Sequence, residues 1–445
     1  MFNRHIEISV AVLLVCALLV LWVFNSDVSK PSIVVDVHTA DQLNSSQTTV
    51  QFNLSQTTVQ FNLSQIRRLN TDQFNLSEHH DISNRHNVLH ATSRKQHYWQ
   101  FISPIHPSLY DAFARDSIFK AVFQSRTDQC SSCRCDGSTM LLDYHGVSKR
   151  PVWSCSFNES HSMRATVFVD PTGHAFVVTC PAPSVAVQKV TITAEVDDEP
   201  PLIYKDIEYH LYEPSEPELL LAGCTMIRPS ITNMQLLLEW LAYHRLQGFE
   251  HFLLYSDGDP IPLRAALSIY MEQDFVDVVD WEWPTHGFHH QQAQMHSCLY
   301  RYRGLARWVA LFDMDEYFQP MQNVTVAQLL QSKENIISTG LIVRMVLFMP
   351  NLDGLITQGS QVRGNTPLAA GERSKSIVRT KQVFAVSVHS ITLATGPFSI
   401  ADPVTELRLN HYRTGIDLPM ASGLDSSMTK YGPALVVEMK HMIID

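Results

Sequence analysis

Three carboxylates lie close together in the chain, at Asp313, Asp315 and Glu316, directly after the apolar run at 308–312. An isolated Asp-x-Asp is more often part of a turn or a solvated loop. Three carboxylates at the end of a strand, however, repel one another at a high cost unless a cation offsets their charge. Hard oxygen ligands favour Mg²⁺ or Mn²⁺, and either ion bridges carboxylates and a diphosphate. The cluster therefore predicts a metal site that stabilises a departing nucleoside diphosphate.

Two other kinds of phosphate site fit the sequence poorly. A phosphatase with an aspartyl nucleophile usually has a Thr two positions after the second Asp, where this chain has Tyr317. The sequence also contains no Gly-x-x-x-x-Gly-Lys phosphate loop. A carboxylate-bound metal at the end of a strand is the interpretation that remains.

Strand and helix patterns alternate on the amino-terminal side of the cluster. Apolar runs of strand length alternate with segments of helical spacing, and Gly248 is placed to end the first helix. The predicted strands are 219–227, 251–255, 276–281 and 308–312, and the predicted helices are 230–247, 263–273 and 291–303. This order is typical of a doubly wound, mostly parallel α/β sheet, in which ligands bind beyond the carboxyl ends of the strands.

The first residues of the chain predict a membrane anchor. Residues 8–24 form a run without charge that is just long enough to cross a bilayer. A cleaved signal peptide is the main alternative, but the residues after the run lack the small-x-small pattern of a cleavage site. Arg4 precedes the run, so the short tail at 1–7 is expected in the cytosol and the rest of the chain in the lumen.

The segment after the anchor has the composition of a spacer. Residues 25–95 are rich in Asn, Gln, Ser, Thr and His, and the nine residues SQTTVQFNL occur at 46–54 and again at 55–63. We predict a disordered stalk, because such a segment buries too little apolar surface to offset its ordering entropy. Glycosylation sequons begin in the stalk and continue beyond it, at Asn44, Asn53, Asn62, Asn75, Asn158 and Asn323.

The remaining chain divides by composition into three parts. Short alternating strands between Pro and Gly turn signals predict a small β-rich domain at 96–196. A stretch rich in Pro and acidic residues predicts a linker at 197–217. The α/β pattern then predicts a catalytic domain at 218–445.

The cysteines agree with a lumenal location. Cys16 lies in the predicted anchor, and the other seven cysteines would meet an oxidising compartment, where disulfides are the default. The spacing of Cys130, Cys133 and Cys135 is also compatible with part of a zinc site, but no second ligand pair follows at finger-like spacing. Seven is an odd number, so one thiol is free or bonded to another chain. The formal charge of −11 argues against a general nucleic-acid binder.

The segment from 219 to about 411 resembles glycosyltransferase family 92, formerly a domain of unknown function. Several sequence blocks in the family's order carry the resemblance. They are LEWLAYH at 238–244 with Gly248 and His251-Phe252, QxxxCL at 294–299, WVALFDMDEY at 308–317, SKSIVR at 374–379, VHS at 388–390 and NHYR at 410–413. The resemblance implies the A-type glycosyltransferase fold, a Rossmann-like mixed sheet that binds nucleotide-diphospho-sugars.

The resemblance also implies an activity and roles for single residues. It implies an inverting transfer, typically of galactose from UDP-galactose, with Mn²⁺ at the acidic motif. Asp313 would face the donor ribose and the metal, Asp315 would bind the metal, and His411 would supply a further ligand, with His389 as its competitor. Asp257, after the second strand, is placed to meet the nucleotide base or ribose, or is simply a residue of the turn at 256–260.

The resemblance has two gaps. An acidic residue that many relatives carry before the first long helix is replaced here by the stretch 231–233, and few residues follow the last block. Inversion also needs a carboxylate general base, and the sequence does not decide among several candidates. They are Glu316, Glu372, Asp402 and Glu406.

The pair Trp281 and Trp283 resembles a sugar-stacking platform, although packing is the commoner role of such residues.

Three hypotheses follow from the sequence. The first is a Golgi membrane hexosyltransferase of type II topology that uses a UDP-sugar donor and a glycan acceptor on a glycoprotein or glycolipid. The second is a catalytically silent relative that binds carbohydrate or a glycoprotein. The third, a tethered structural protein with an incidental acidic turn, is disfavoured by the ordered set of blocks. Intact Asp313 and Asp315 favour the first.

Overall fold

The computed structural model describes most of the chain beyond residue 100 and three short segments before it. The described residues are 34–38, 49–54, 57–62, 100, 107–115, 117–124, 142–144, 147–149, 151–158, 162–169, 175–182, 189–195, 200–211, 217–230, 232–281, 291–337, 339–351, 354–413 and 422–444. The chain forms two compact units, residues 1–80 and 81–445. In the first unit, strands β1 (Val34–His38), β2 (Thr49–Leu54) and β3 (Thr57–Asn62) form an antiparallel sheet in which β2 is central.

The predicted anchor at 8–24 lies outside the described residues. Within the described ranges, no helix combines the length and apolar character that a membrane span requires. The anchor and the spacer role of 25–95 therefore stay predictions, but the disorder predicted there is not what the described residues show, because β1, β2 and β3 pair into a sheet.

The amino-terminal part of the second unit is built from strands. Their bounds are β4 (Ser108–Arg115), β5 (Ile118–Gln124), β6 (Leu142–Tyr144), β7 (Val147–Lys149), β8 (Val152–Phe157), β9 (Ser162–Arg164), β10 (Thr166–Val169), β11 (Ala175–Pro181), β12 (Val190–Glu195), β13 (Leu202–Ile207) and β14 (His210–Leu211). Two sheets, β10-β11-β5-β4-β14 and β13-β12-β8-β9, enclose a core of their own. Phe123, Trp153, Phe176 and Tyr204 contact one another in this core. The Cys155–Cys180 disulfide joins the two sheets.

The predicted linker at 197–217 is wrong in this region, because the segment contains β13 and β14. Pro200 and Pro201 precede β13 rather than interrupt it. Leu202 and Tyr204 point into the core while Ile203 and Lys205 are exposed, which is the alternation of a strand with one buried face. The described part of the segment therefore adds an edge strand to each of the two sheets.

The rest of the chain is mixed α/β. Its strands are β15 (Leu219–Ile227), β16 (His251–Ser256), β17 (Val276–Asp280), β18 (Ala306–Leu311), β19 (Glu316–Pro320), β20 (Gly340–Val343), β21 (Met345–Phe348), β22 (Val362–Gly364), β23 (Lys375–Arg379), β24 (Val383–Ser387), β25 (Ser390–Ala394), β26 (Ser399–Ile400), β27 (Leu407–Tyr412) and β28 (Ser422–Leu424). Its helices are α1 (Met234–Leu246), α2 (Ile261–Ala266), α3 (Ser268–Glu272), α4 (Gln291–Arg301), α5 (Val326–Ser332), α6 (Ile356–Gly359) and α7 (Gly432–Ile444), with a 3₁₀ helix at Thr429–Tyr431.

The main sheet has the order β17-β16-β15-β18-β23-β20-β26. The first four strands are parallel, and β23 then runs antiparallel to both β18 and β20. The sheet is therefore mixed, with a parallel half built by the alternating strands and helices that the sequence predicted. A second sheet, β19-β27-β21-β22-β28, begins at the last residue of the acidic motif, Glu316.

One continuous core joins the β-rich part to the main sheet. Tyr110, Phe113 and Val122 from β4 and β5 pack in the same cluster as residues of β15, β18 and α4. The Cys224–Cys298 disulfide ties α4 to β15 within that cluster. Residues 81–445 accordingly form one unit rather than two.

Candidate active site

The acidic motif lies between two sheets. β18 ends at Leu311 and β19 begins at Glu316, so Asp313 and Asp315 occupy the short turn between them. The indole Nε1 of Trp240 on α1 donates to the backbone oxygen of Glu316 at 2.8 Å and fixes the start of β19. The motif therefore lies at the carboxyl end of a parallel strand, where an α/β sheet binds its ligand.

Asp313 is held by residues from two other elements. Its Oδ1 accepts a hydrogen bond from Nε2 of Gln291, the first residue of α4, at 2.6 Å. Its Oδ2 accepts from Nζ of Lys375, the first residue of β23, at 2.7 Å. Lys375 is also 3.7 Å from Oε2 of Glu316. Both oxygens of Asp313 are thus engaged within the protein.

The other two acidic residues meet a histidine. The antiparallel pairing of β19 with β27 places Glu316 directly opposite His411. Nε2 of His411 is 3.1 Å from Oδ2 of Asp315, and its Nδ1 is 3.9 Å from Oε1 of Glu316. One donor atom from each of the three residues lies within 4.8 Å of the others, and Asp315 is the partly exposed member.

Burial and charge shift the pKa values of the cluster in different directions. Burial raises the pKa of Glu316 to about 8, although Lys375 opposes the rise. Burial alone would raise the pKa of Asp313 too, but Lys375, His411 and Gln291 together outweigh it and lower that pKa. For His411, burial lowers the pKa, but Asp315 and Glu316 raise it more.

The donor set fits a hard divalent ion. Carboxylate oxygens and one imidazole nitrogen suit Mn²⁺ or Mg²⁺, and a cation would let Glu316 ionise despite its burial. The predicted ligand set was Asp313, Asp315 and His411. The structure brings Asp315 and His411 together as predicted, adds Glu316, and engages Asp313 with Gln291 and Lys375 instead.

Two further polar residues follow the neighbouring parallel strands. Arg228 follows β15 and Asp257 follows β16, and Nε of Arg228 is 2.6 Å from Oδ2 of Asp257. Since β15 lies between β16 and β18, this pair shares the sheet edge that carries the acidic motif. Asp257 also lies in the turn at 256–260 that the sequence offered as the alternative, and its role in donor binding stays a prediction.

The other histidine candidate and the candidate general bases have different surroundings. His389 donates from Nδ1 to the backbone oxygen of Ser374 at 3.2 Å, and it does not join the group of three potential ligands. Glu316 is 1% exposed, so an acceptor hydroxyl does not reach it in this conformation. Glu406 pairs with Lys333, and Asp402 binds the backbone amides of Val404 and Thr405. Glu372 is exposed.

The aromatic platform predicted at residues 281 and 283 is only half described. Trp281 is fully buried and packs against Tyr110 and Tyr255, which makes it a core residue. Trp283 lies outside the described residues. His244, in the first family block, is buried with Nδ1 2.8 Å from the Trp240 backbone oxygen, and burial lowers its pKa to about 3. It is therefore a neutral structural histidine.

Sequence reasoning missed Lys375 and Gln291 as parts of the site. Lys375 stands inside a block that marks the family resemblance, yet no role was predicted for it. The available signal was the lysine at the start of β23, because a charged residue is unusual in a buried strand. For Gln291 the sequence carries no such signal, because its contact with Asp313 depends on how α4 packs.

Comparisons with known proteins agree with the resemblance. Residues 230–440 match the family model "Glycosyltransferase family 92". A protein of Ricinus communis described as "Glycosyltransferase family 92 protein" is 26% identical over 206 residues, which cover 43% of this chain and 35% of that protein. "Galactan beta-1,4-galactosyltransferase GALS3" of Arabidopsis thaliana is 28% identical over 155 residues, covering 33% of this chain and 30% of the relative. This chain thus spans about a third of the length of the curated relatives it matches.

Among solved structures, TarS 1-349 of S. aureus matches at 14% identity with a TM-score of 0.24, covering 36% of this chain and 47% of that chain. HddC of Yersinia pseudotuberculosis matches at 12% identity with a TM-score of 0.28, covering 49% of this chain and 99% of that chain.

Proposed function

We propose that this protein is a metal-dependent glycosyltransferase, because residues 230–440 match the domain model "Glycosyltransferase family 92". It transfers a hexose from a UDP-sugar to a glycan acceptor on a glycoprotein or glycolipid, with inversion. The observation that carries the proposal is the group Asp315, Glu316 and His411, which gathers at the carboxyl end of β18 inside that domain. The A-type fold of the family accounts for this placement.

Galactose is the first donor sugar to test. The motive is the Arabidopsis thaliana relative, whose name specifies a galactosyltransferase and which shares 28% identity over 155 residues. Identity at this level supports the choice of a first substrate, and a panel of UDP-sugars decides it.

The residues divide into three tasks. Asp315, Glu316 and His411 would hold Mn²⁺ or Mg²⁺, which when bound stabilises the negative charge of the departing diphosphate. Asp257, oriented by Arg228, is placed at the shared sheet edge to receive the nucleotide. The general base comes from outside the acidic motif, because Glu316 is buried and its Oε2 accepts the backbone amide of Asp313 at 2.8 Å.

For topology, the proposal is a single-pass type II protein of the Golgi membrane with the catalytic part in the lumen. It rests on the apolar run at 8–24 and on the glycosylation sequons. Asn158 and Asn323 are exposed, as glycan carriers need to be. The Cys155–Cys180 and Cys224–Cys298 disulfides suit an oxidising compartment.

The test is UDP release by the full-length protein in detergent, with each UDP-sugar of a panel, in Mn²⁺ or in chelator. We expect metal-dependent release with one donor and a loss of at least about 100-fold in Asp315→Ala, since a metal ligand is removed. Glu334→Ala is the matched control, because Glu334 pairs with Arg307 at the opposite end of β18 and its removal leaves the motif intact.

Three outcomes decide the matter. Metal-dependent release that Asp315→Ala abolishes and Glu334→Ala keeps supports the transferase and identifies its donor. Release that ignores both the chelator and the substitution contradicts the metal site. Absence of turnover with every donor, together with glycan binding that survives Asp315→Ala, supports the alternative of a silent carbohydrate-binding relative.

A further inference from the structure

Lys375 is a buried cation inside the acidic motif. Its side chain is 1% exposed, its Nζ is 2.7 Å from Oδ2 of Asp313, and the same atom is 3.7 Å from Oε2 of Glu316. The adjacent residue Ser376 pairs with Leu311 in the sheet, so the backbone of β23 fixes where the lysine enters the motif. The contact between Lys375 and Asp313 thus links β23 to the turn that follows its neighbouring strand β18.

The contact has a direct electrostatic consequence. A buried ammonium is costly unless carboxylates compensate it, and buried carboxylates are costly without a cation. Lys375 offsets one negative charge of the motif permanently. Because Gln291 occupies the other oxygen of Asp313, this carboxylate is held on the lysine side. Asp315, Glu316 and His411 form the group of potential ligands, and Glu316 lies between that group and the lysine.

We propose that Lys375 is a positioning residue that acts as the resident counter-ion of the acidic motif. It holds Asp313 away from the group of potential metal ligands and leaves Asp315, Glu316 and His411 for the divalent ion. The lysine also limits the negative charge that the ion meets, which keeps metal binding moderate and exchangeable. The identification of the metal site rests on the proposed function, but the role of Lys375 is measurable without any sugar donor.

The experiment measures Mn²⁺ binding and thermal unfolding of the full-length protein in detergent, for wild type and Lys375→Met. Methionine keeps much of the volume and removes the charge. The metal-free variant should unfold at a lower temperature, since two carboxylates lose their partner. Mn²⁺ should bind it at least about threefold more tightly and should raise its unfolding temperature more than that of wild type, because the uncompensated carboxylates attract the ion.

Two further variants test whether the effect on Mn²⁺ affinity comes from the charge of Lys375. Lys375→Arg keeps the charge and should keep a metal affinity close to that of wild type. Lys333→Met is the matched control, because Lys333 pairs with Glu406 near the far end of β19. It should lower the unfolding temperature without changing Mn²⁺ affinity.

Equal or weaker Mn²⁺ binding by Lys375→Met, with an unchanged thermal response to the metal, would overturn the proposal and assign Lys375 to scaffolding alone. If Lys375→Met does not fold, Asp313→Asn/Lys375→Met removes both charges. Recovery of folding with an affinity near that of wild type supports the proposal, and continued failure to fold overturns it. A wild type that turns over no donor while the Mn²⁺ responses follow the expected pattern supports the role of Lys375 and contradicts the transferase.

Discussion

The two candidate histidines differ in what their rings face. Nε2 of His411 points to Asp315, whereas Nδ1 of His389 faces a backbone oxygen. We expect His411→Gln to weaken Mn²⁺ binding by about tenfold or more, as the loss of a ligand or its closest support does. His389→Gln is its matched control and should change the affinity by less than about twofold. Isothermal titration with Mn²⁺ measures both.

The opposite result for the two histidines would assign the metal ion to a different position. If His389→Gln weakened binding and His411→Gln did not, the ion would lie on the Lys375 side of the motif, close to Asp313. Such a finding would restore the ligand role that the family resemblance gave to Asp313 and would remove Glu316 from the set. The comparison therefore tests the geometry and not only the presence of a metal.

Residues of the site that are neighbours in sequence could be predicted, whereas those that meet only through the fold could not. Asp313, Asp315 and Glu316 are neighbours in sequence after an apolar strand, so their clustering needs no tertiary knowledge. His411 emerged through the family block around it. Lys375 reaches Asp313 across 62 residues of sequence, and such a contact follows from strand order, which periodicity does not specify.

At the scale of elements, local patterns predicted the parallel half of the sheet well. The strand predicted at 219–227 is confirmed in β15, and the helix predicted to stop at Gly248 ends at Leu246. The helix predicted at 263–273 is instead two short helices, α2 and α3, which meet at Leu267. The antiparallel insertion of β23 next to β18 was not predicted, because it depends on long-range pairing.

Gly248 offers a test of how tightly the first helix is terminated. Its φ is +85°, and a Cβ at this position would lie 2.6 Å from Cβ of Ala327 in α5. We expect Gly248→Ala to lower the free energy of unfolding by about 2 kcal/mol or more, from backbone strain together with the clash. Urea denaturation followed by tryptophan fluorescence measures the change.

Gly371 is the matched control for this prediction. Its φ is +86°, and nothing lies within 4 Å of a Cβ built there. Gly371→Ala should therefore show the backbone cost alone, about 1 kcal/mol. Equal losses in the two variants would mean that α5 yields to the added methyl group, and that the contact between the end of α1 and α5 is not tightly packed.

At the scale of the whole molecule, a buried ion pair joins the β-rich part to the α/β part. Asp111 on β4 is fully buried, its Oδ2 accepts from Arg301 Nε at 3.0 Å and from Ser297 Oγ at 2.7 Å, and Arg301 Nη2 lies 2.8 Å from the same oxygen. Arg301 ends α4, the helix whose first residue, Gln291, binds Asp313. The β-rich part therefore supports the helix that reaches the acidic motif.

Substitutions in the Asp111–Arg301 pair test whether the β-rich part has a structural role or acts as an independent binding module. Asp111→Asn removes the charge that compensates buried Arg301 and should cost about 3–5 kcal/mol of unfolding free energy. Asp111→Leu/Arg301→Met replaces both charges with apolar groups of similar size and should recover most of the loss, because the desolvation penalty disappears. Urea denaturation of the full-length variants, read beside UDP release, measures stability and activity together. A cost below about 1 kcal/mol for Asp111→Asn would show that the two parts are weakly coupled, and the β-rich part would then be free to act as a separate binding module.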